Sequence, residues 1–117
     1  MSSKVFGVGV IGVGFVGGAA HAPAFRKIPG SKLAGLAAST ERRVKPLAEK
    51  YGVKYFLNYM DLIRNPEVDA LVVATPTPLH YKTAKAAIEN GKHVMCEMPI
   101  AATLDEVRDL GRSAEKA

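Results

Sequence analysis

A cluster of glycines follows a short apolar run near the amino terminus and leaves few folds open to this chain. Residues 4–11 (Lys-Val-Phe-Gly-Val-Gly-Val-Ile) are mostly apolar and β-branched, which is typical of a buried strand in a parallel sheet. Gly12, Gly14 and Gly17 then give the spacing G-x-G-x-x-G before a helix-compatible stretch at 15–28. In such a unit the glycines permit a tight turn, a close approach of backbone to a pyrophosphate, and close packing of the helix on the sheet. The pattern predicts a dinucleotide site, although glycine-rich turns are common and the motif alone is weakly specific.

The same stretch fits a signal peptide or a membrane-spanning helix less well than it fits a dinucleotide-binding unit. Residues 5–20 carry no charge and follow Lys4, as in a signal peptide. However, this stretch is rich in glycine, which destabilises helices, and it is shorter than the roughly 20 residues that span a bilayer. We expect no membrane partner.

The rest of the chain alternates between strand and helix patterns. Strands are predicted at 32–38, 54–57, 70–74 and 93–96, and helices at 41–51, 59–64 and 79–90, with a last helix after the capping pattern Thr103-Leu-Asp-Glu106. This order predicts an α/β, Rossmann-like doubly wound parallel sheet of about five strands with helices on both faces. Residues 1–117 are expected to form a single dinucleotide-binding domain, with its ligand at the carboxyl ends of the strands.

Composition excludes several other classes of protein. The single cysteine, Cys96, rules out an internal disulfide and fits a reducing, cytoplasmic compartment. Three dispersed histidines make a structural zinc site improbable, and we expect no metal. The net charge of +5 comes from scattered basic residues, so no nucleic-acid partner is expected.

The residues after the second predicted strand favour one cofactor over another. An NAD site usually has an acidic residue about 20 residues past the glycines, which binds the ribose 2′-hydroxyl. Here the sequence is Ser39-Thr40-Glu41-Arg42-Arg43, and either guanidinium suits a 2′-phosphate. Alternatively, both arginines are solvated residues of a first helical turn and Glu41 supplies the carboxylate. We favour NADP, with NAD as the alternative.

Four segments together resemble a known family. They are Gly-Val-Ile-Gly-Val-Gly at 9–14, His21 with Pro23, Ala74-Thr-Pro76 with His80, and Gly-Lys-His-Val-Met-Cys-Glu-Met-Pro at 91–99. They resemble the N-terminal half of the Gfo/Idh/MocA oxidoreductases, which include glucose–fructose oxidoreductase and inositol dehydrogenase. The resemblance extends over essentially the whole chain, and the last two segments are far more specific than the glycine motif.

The resemblance implies where a dinucleotide would be bound. Cofactor-binding positions implied by the family or by the glycine motif are Gly12, Gly14, Phe15, Val16 and Gly17 at the pyrophosphate, Ser39, Thr40, Arg42 and Arg43 at the adenosine end, Thr75, Pro76 and His80 along the nicotinamide half, and Glu97 near the nicotinamide ribose. Each has a plainer alternative: His80 as a helix-start residue in water, Glu97 as a loop carboxylate without a partner, and Cys96 as a packed small residue.

Two departures from the family pattern bear on activity. The family's Cys-Glu-Lys-Pro has a lysine that assists proton transfer, and here that position is Met98, whose thioether cannot relay a proton. The family also continues into a sixth strand and a substrate domain, whereas this sequence stops at Ala117. We therefore name no catalytic residue and keep two functions open. One is the nucleotide-binding domain of an oxidoreductase acting on sugars or polyols, which we expect to be inactive alone. The other is a non-catalytic NADP(H)-binding or regulatory module.

The expected partners follow from the same departures. Without a sixth strand, the predicted strand at 93–96 is left at a sheet edge, and exposed edges recruit other chains. We expect self-association, or a second chain or domain that supplies the substrate site.

Overall fold

The computed structural model describes residues 5–12, 27–75, 77–96 and 103–116. Its strands are Phe6–Ile11 (β1), Ser31–Ala37 (β2), Lys54–Phe56 (β3), Ala70–Val73 (β4) and His93–Cys96 (β5). Its helices are Glu41–Tyr51 (α1), Tyr59–Ile63 (α2), His80–Glu89 (α3) and Leu104–Lys116 (α4), with a short 3₁₀ helix at Thr77–Leu79.

The strands form one parallel sheet in the order β3-β2-β1-β4-β5. The glycine-bearing strand β1 is central, and the strand order reverses there, since β2 and β3 lie on one side of β1 and β4 and β5 on the other. The α/β, Rossmann-like prediction is confirmed.

The sheet separates two apolar layers. On one face, Val8, Val10 and Leu36 pack with Val44 and Ala48 of α1. On the other face, the core includes residues of β1, β2, β4, α2 and α3 and of the loop before β4, namely Ile11, Ala37, Leu62, Ile63, Val68, Leu71 and Ala87. Burial of these side chains on both faces explains why the strands are continuous apolar runs rather than alternating ones.

Glycine allows α2 to approach the second face closely. A Cβ atom at Gly9 would lie 3.0 Å from Leu62, and one at Gly35 would lie 2.9 Å from the same side chain. Leu62 is fully buried at this contact. The two glycines of neighbouring strands therefore make a shallow depression that the leucine fills.

Helix ends coincide with capping residues in the sequence. The carboxamide oxygen of Asn58 accepts from the N–H of Met60 at 2.9 Å and so caps α2. Gly52 ends α1 in the left-handed conformation, and the Thr103 hydroxyl accepts from the N–H of Glu106 at 3.2 Å.

Two expectations need comment. The helix predicted at 15–28 lies almost wholly outside the described residues. The last helix, which the capping pattern predicts, is only partly buried along its apolar side: Leu110 is 5% exposed, but Leu104 is 62% exposed. The reason is that α4 packs on α3 and not across the sheet, so only part of its apolar stripe finds a partner.

None of the helices in the described part of the chain is long and apolar enough to cross a membrane.

Candidate functional site

The carboxyl ends of three strands meet around Gly12. The N–H of Gly12 donates to the carbonyl of Ala37 at the end of β2, at 2.8 Å. The N–H of Ala74, just beyond β4, donates to the carbonyl of Ile11 at 2.8 Å. These bonds bring Gly12, the end of β2 and the end of β4 together at the point where the strand order reverses. In parallel α/β sheets, this is where ligands bind.

Gly12 occupies a position that no other residue fits. Its φ is +95°, a conformation that L side chains rarely adopt. A Cβ atom there would lie 2.6 Å from the carbonyl oxygen of Ala74 and 2.8 Å from the amide nitrogen of Thr75. Both contacts are with backbone, which cannot swing aside as a flexible side chain does. The structure therefore shows that glycine is required at the first position of the motif, and the turn that follows it lies outside the described residues.

Thr75 and His80 are held together beyond the end of β4. The His80 ring is 2% exposed, and its Nε2 lies 2.5 Å from the carbonyl oxygen of Thr75. The alternative of His80 as a solvated helix-start residue is wrong, because the ring is buried against the Thr75 carbonyl.

The hydroxyl of Thr75 is buried, and it has no hydrogen-bond partner within the part of the chain that the structure describes. A buried hydroxyl without a partner costs about 1–3 kcal/mol, and such groups in native proteins call for an explanation. A ligand that hydrogen-bonds to Oγ1 would provide one.

The residues predicted at the adenosine end lie at the start of α1. Ser39, Thr40, Arg42 and Arg43 are exposed, and the carbonyl of Thr40 accepts from the N–H of Arg43 at 3.1 Å. The helix N-terminus carries partial positive charge, and the two guanidinium groups add full charges beside it. Glu41 opens the same turn, so both interpretations of this segment, a 2′-phosphate site and a solvated first turn, stay predictions.

The remaining predicted positions lie outside the described residues. They are Gly14, Phe15, Val16, Gly17, Pro76 and Glu97, together with Met98 at the family's lysine position.

The described part of the site fits a dinucleotide. The space between Gly12 and the backbone of Ala74 and Thr75, here called the Gly12 cradle, would be filled by any Cβ. The Thr75 hydroxyl is buried and has no hydrogen-bond partner within the described residues. Gly12 and Thr75 would hold the middle and the nicotinamide end of the group, and the start of α1 would hold its adenosine end. Among the described residues there is no cluster of histidine, cysteine, aspartate or glutamate that could hold a metal ion.

Comparison with protein families assigns the chain to a family. Residues 6–117 match the family model described as "Oxidoreductase family, NAD-binding Rossmann fold", the Gfo/Idh/MocA family. The chain belongs to the Gfo/Idh/MocA oxidoreductases.

Individual relatives agree with this assignment. The chain is 37% identical over 108 residues to the uncharacterized oxidoreductase YdgJ of Escherichia coli, covering 92% of this chain and 31% of that protein. It is 36% identical over 106 residues to inositol 2-dehydrogenase of Rubrobacter xylanophilus, covering 91% of this chain and 30% of that protein. This Gfo/Idh/MocA chain thus spans about a third of the length of these relatives.

A solved structure shows the same architecture. KijD10, a 3-ketoreductase from Actinomadura kijaniata crystallised with NADP and TDP-benzene, superposes with a TM-score of 0.90 at 27% identity. The match covers 97% of this chain and 35% of that one.

A polar cluster that the sequence did not reveal joins α3 to α4 in this Gfo/Idh/MocA chain. The hydroxyl of Tyr81 donates to Asp109 at 2.6 Å, and the ammonium of Lys85 donates to the same carboxylate oxygen at 2.7 Å. The i,i+4 spacing of Tyr81 and Lys85 was visible in the sequence, but nothing in it indicated Asp109 as their partner.

The hydrogen bonds of this cluster shift the pKa values of its side chains. The hydrogen bond to Asp109 raises the pKa of the Tyr81 phenol above 10.0, because it stabilises the protonated form. Hydrogen bonds from Lys85 and then Tyr81 lower the pKa of Asp109 below 3.8. The contacts of Asp109 with Tyr81 and Lys85 join α4 to α3, and we assign the cluster to helix packing.

Proposed function

We propose that this chain is the NADP(H)-binding domain of an oxidoreductase that transfers hydride to or from a sugar or polyol. The observation that carries the proposal is the Gly12 cradle facing the Thr75 backbone at the switch point of the sheet. The substrate class is supported by the names of relatives, inositol 2-dehydrogenase and a 3-ketoreductase. A bound nicotinamide would supply the hydride chemistry, while this chain would bind and orient the cofactor.

Titration of the purified chain with NADPH and NADH, followed by cofactor fluorescence, tests this proposal. We expect saturable binding with NADPH tighter than NADH. Absence of binding for both cofactors at millimolar concentration would overturn it.

The preference for NADP rests on two exposed arginines at the start of α1. Arg42 and Arg43 are the second and third residues of α1, which begins four residues after the end of β2. We propose that they contact the 2′-phosphate of a dinucleotide bound at Gly12. A guanidinium binds phosphate in a charge-assisted pair. KijD10, which shares this fold, was crystallised with NADP.

Replacing both arginines checks this preference. The double variant Arg42→Ala/Arg43→Ala should lose about tenfold or more in NADPH affinity, the equivalent of one charged hydrogen bond, and keep its NADH affinity. Arg108→Ala, at an exposed arginine of α4, is the matched control and should change neither. If the double variant loses NADPH and NADH affinity equally, the arginines do not recognise the 2′-phosphate and are only exposed residues at the start of α1.

The chain's contribution to catalysis is proposed to be cofactor binding. Met98 stands at the family's lysine position, and positioned acid–base help of the kind a lysine gives is typically worth 10²–10⁴ in rate. We infer that the proton for the reaction, and the substrate pocket, come from a second domain or chain. Cytoplasmic localisation is part of the same proposal, since the single cysteine suits a reducing compartment.

The second candidate is a cofactor-binding module without catalysis. Met98 favours it. We expect no polyol turnover by the chain alone, and measured turnover would exclude this candidate. Met98→Lys, assayed together with a complementing substrate domain, should gain activity if the missing lysine limits an enzyme, and should gain none if the module is non-catalytic.

We propose that the chain self-associates through the part of the sheet that contains β5. β5 is the last strand of the described sheet, and Phe6, Ile28 and Met95 stand exposed beside an apolar groove of about 210 Å³. A second copy of this chain would cover both the groove and the edge.

A further inference from the structure

The turn between β4 and α3 is short of backbone donors. Its sequence is Thr75-Pro-Thr-Pro78, and proline has no N–H. In a tight turn the carbonyl of residue 75 would accept from the N–H of residue 78. Because residue 78 is proline, that hydrogen bond cannot form, and the Thr75 carbonyl needs a donor from elsewhere.

His80 supplies that donor. Its Nε2 lies 2.5 Å from the Thr75 carbonyl oxygen. A carbonyl oxygen only accepts hydrogen bonds, so Nε2 carries the proton in this contact. The ring is fixed in place because His80 is the first residue of α3 and is 2% exposed. A group held this way is better placed to hold the backbone than to reach a ligand itself.

The other side of Thr75 faces the glycine turn. Its amide nitrogen lies 2.8 Å from the position that a Gly12 Cβ would take, and its buried hydroxyl has no partner in the described chain. Thr75 is thus confined between Gly12 and the His80 ring. Any shift of its carbonyl would move the amide that borders the cradle and the hydroxyl that we expect to meet the cofactor.

We propose that His80 is a positioning residue that acts through Thr75: the imidazole replaces the donor that Pro78 lacks and sets the backbone that borders the nicotinamide end of the site. Thr75 touches the cofactor, and His80 does not. The inference rests on the proposed function for its consequence in cofactor binding, but the hydrogen bond itself has a readout without cofactor.

The first experiment uses the cofactor-free chain. Amide proton–nitrogen NMR spectra are compared for the wild type, His80→Gln and His80→Leu. Glutamine presents an amide N–H at a reach close to that of Nε2, whereas leucine fills the space without a donor. We expect the Thr75 and Gly12 amide signals to move in His80→Leu and to stay near wild type in His80→Gln. Unchanged signals in His80→Leu would overturn the proposal, whether or not the protein binds NADPH.

The second experiment separates the two ends of the cofactor. NADPH is compared with adenosine 2′,5′-bisphosphate, which lacks the nicotinamide half. We expect His80→Leu to bind NADPH about tenfold more weakly, to bind the bisphosphate as the wild type does, and to be rescued by glutamine. If His80→Leu does not fold, His80→Asn, whose amide falls one atom short of Nε2, takes its place.

The remaining outcomes are also decisive. Equal NADPH affinity in all variants, or equal losses for both ligands, would overturn the positioning role. A wild-type chain that binds neither ligand, yet shows the NMR shifts in His80→Leu, would overturn the proposed function and leave the His80–Thr75 contact standing.

Discussion

At the scale of single residues, the site is built from positions that are poor for stability. Gly12 is held at φ +95° against the backbone of Ala74, and the hydroxyl of Thr75 is buried without a partner in the described chain. Strain and unsatisfied polar groups persist where the surroundings enforce them, and they concentrate at functional sites. We therefore expect substitutions at the two positions to change the free energy of unfolding in opposite directions: a lower value for alanine at Gly12 and a higher value for valine at Thr75.

Gly12→Ala should destabilise the protein by roughly 3 kcal/mol or more, because the new Cβ meets backbone in addition to the unfavourable φ. Urea unfolding measures the change. Gly30→Ala is the matched control, with φ +84° but nothing within 4 Å of the added Cβ, and should cost only about 1–2 kcal/mol. Equal costs at the two positions would mean that the close approach of Ala74 is unimportant.

Thr75→Val should have opposite effects on stability and on binding. Replacing an unpaired buried hydroxyl by a methyl group should raise the free energy of unfolding by about 1 kcal/mol. The same change should weaken NADPH binding about tenfold, because the expected ligand hydrogen bond is lost. Denaturant titration and cofactor fluorescence measure the two effects. A destabilised variant would show that Oγ1 already has a partner.

At the scale of elements, α4 is held to α3 by a small apolar contact and a polar cluster. Leu110 packs with Ala84, and beside it Asp109 accepts from both Tyr81 and Lys85. The cluster is partly exposed, with 33% of the Lys85 side chain and 28% of that of Asp109 accessible, so solvent screens it. Its contribution should still show in the pH dependence of stability.

Asp109→Asn should unfold at lower denaturant concentration than the wild type at neutral pH. The folded pKa of Asp109 is lowered, chiefly by Lys85, so its stabilising contribution is present above about 3.8 and is lost as pH falls through the folded pKa. The pKa of Lys85 is raised above 10.5, chiefly by Asp109, so the lysine contribution is lost as pH rises through the raised pKa of the folded state. Unfolding curves recorded across pH should show the wild type and variant converging at both extremes. A difference that persists in strong acid would assign the effect to packing.

At the scale of the whole molecule, the sheet order brings the described part of the site together and places an apolar groove beside the outermost described strand. β1 lies between β2 and β4, so Gly12, the end of β2 and Thr75 share one edge of the sheet. The groove beside Phe6, Ile28 and Met95 lies on the β1, β4 and β5 part of the sheet, next to the outermost described strand. Apolar surface beside a strand edge favours association.

Met95→Lys should shift the chain toward monomer, because it places a charge in the proposed contact between copies. Met95 is 45% exposed. Leu57→Lys is the control, since Leu57 is 50% exposed and does not line the groove. Sedimentation velocity over a range of concentrations measures both. A wild-type chain that stays monomeric at high concentration would contradict self-association.

The sequence by itself determined the element types and most element bounds of the described residues, the fold class and the family. Apolar periodicity, caps and glycine positions are local, and they report directly on the backbone conformation of a few neighbouring residues. Gly52 ends α1 and Asn58 begins α2, as is typical of glycine and asparagine at these positions.

The tertiary structure alone decided which groups meet. The burial of His80 and its bond to the Thr75 carbonyl depend on how α3 is seated after a turn with two prolines, and the partnership of Asp109 with Tyr81 depends on how α4 lies on α3. A hydrogen bond requires two atoms within about 3 Å. That distance is set by the packing of separate elements, which the spacing of residues along the chain does not encode.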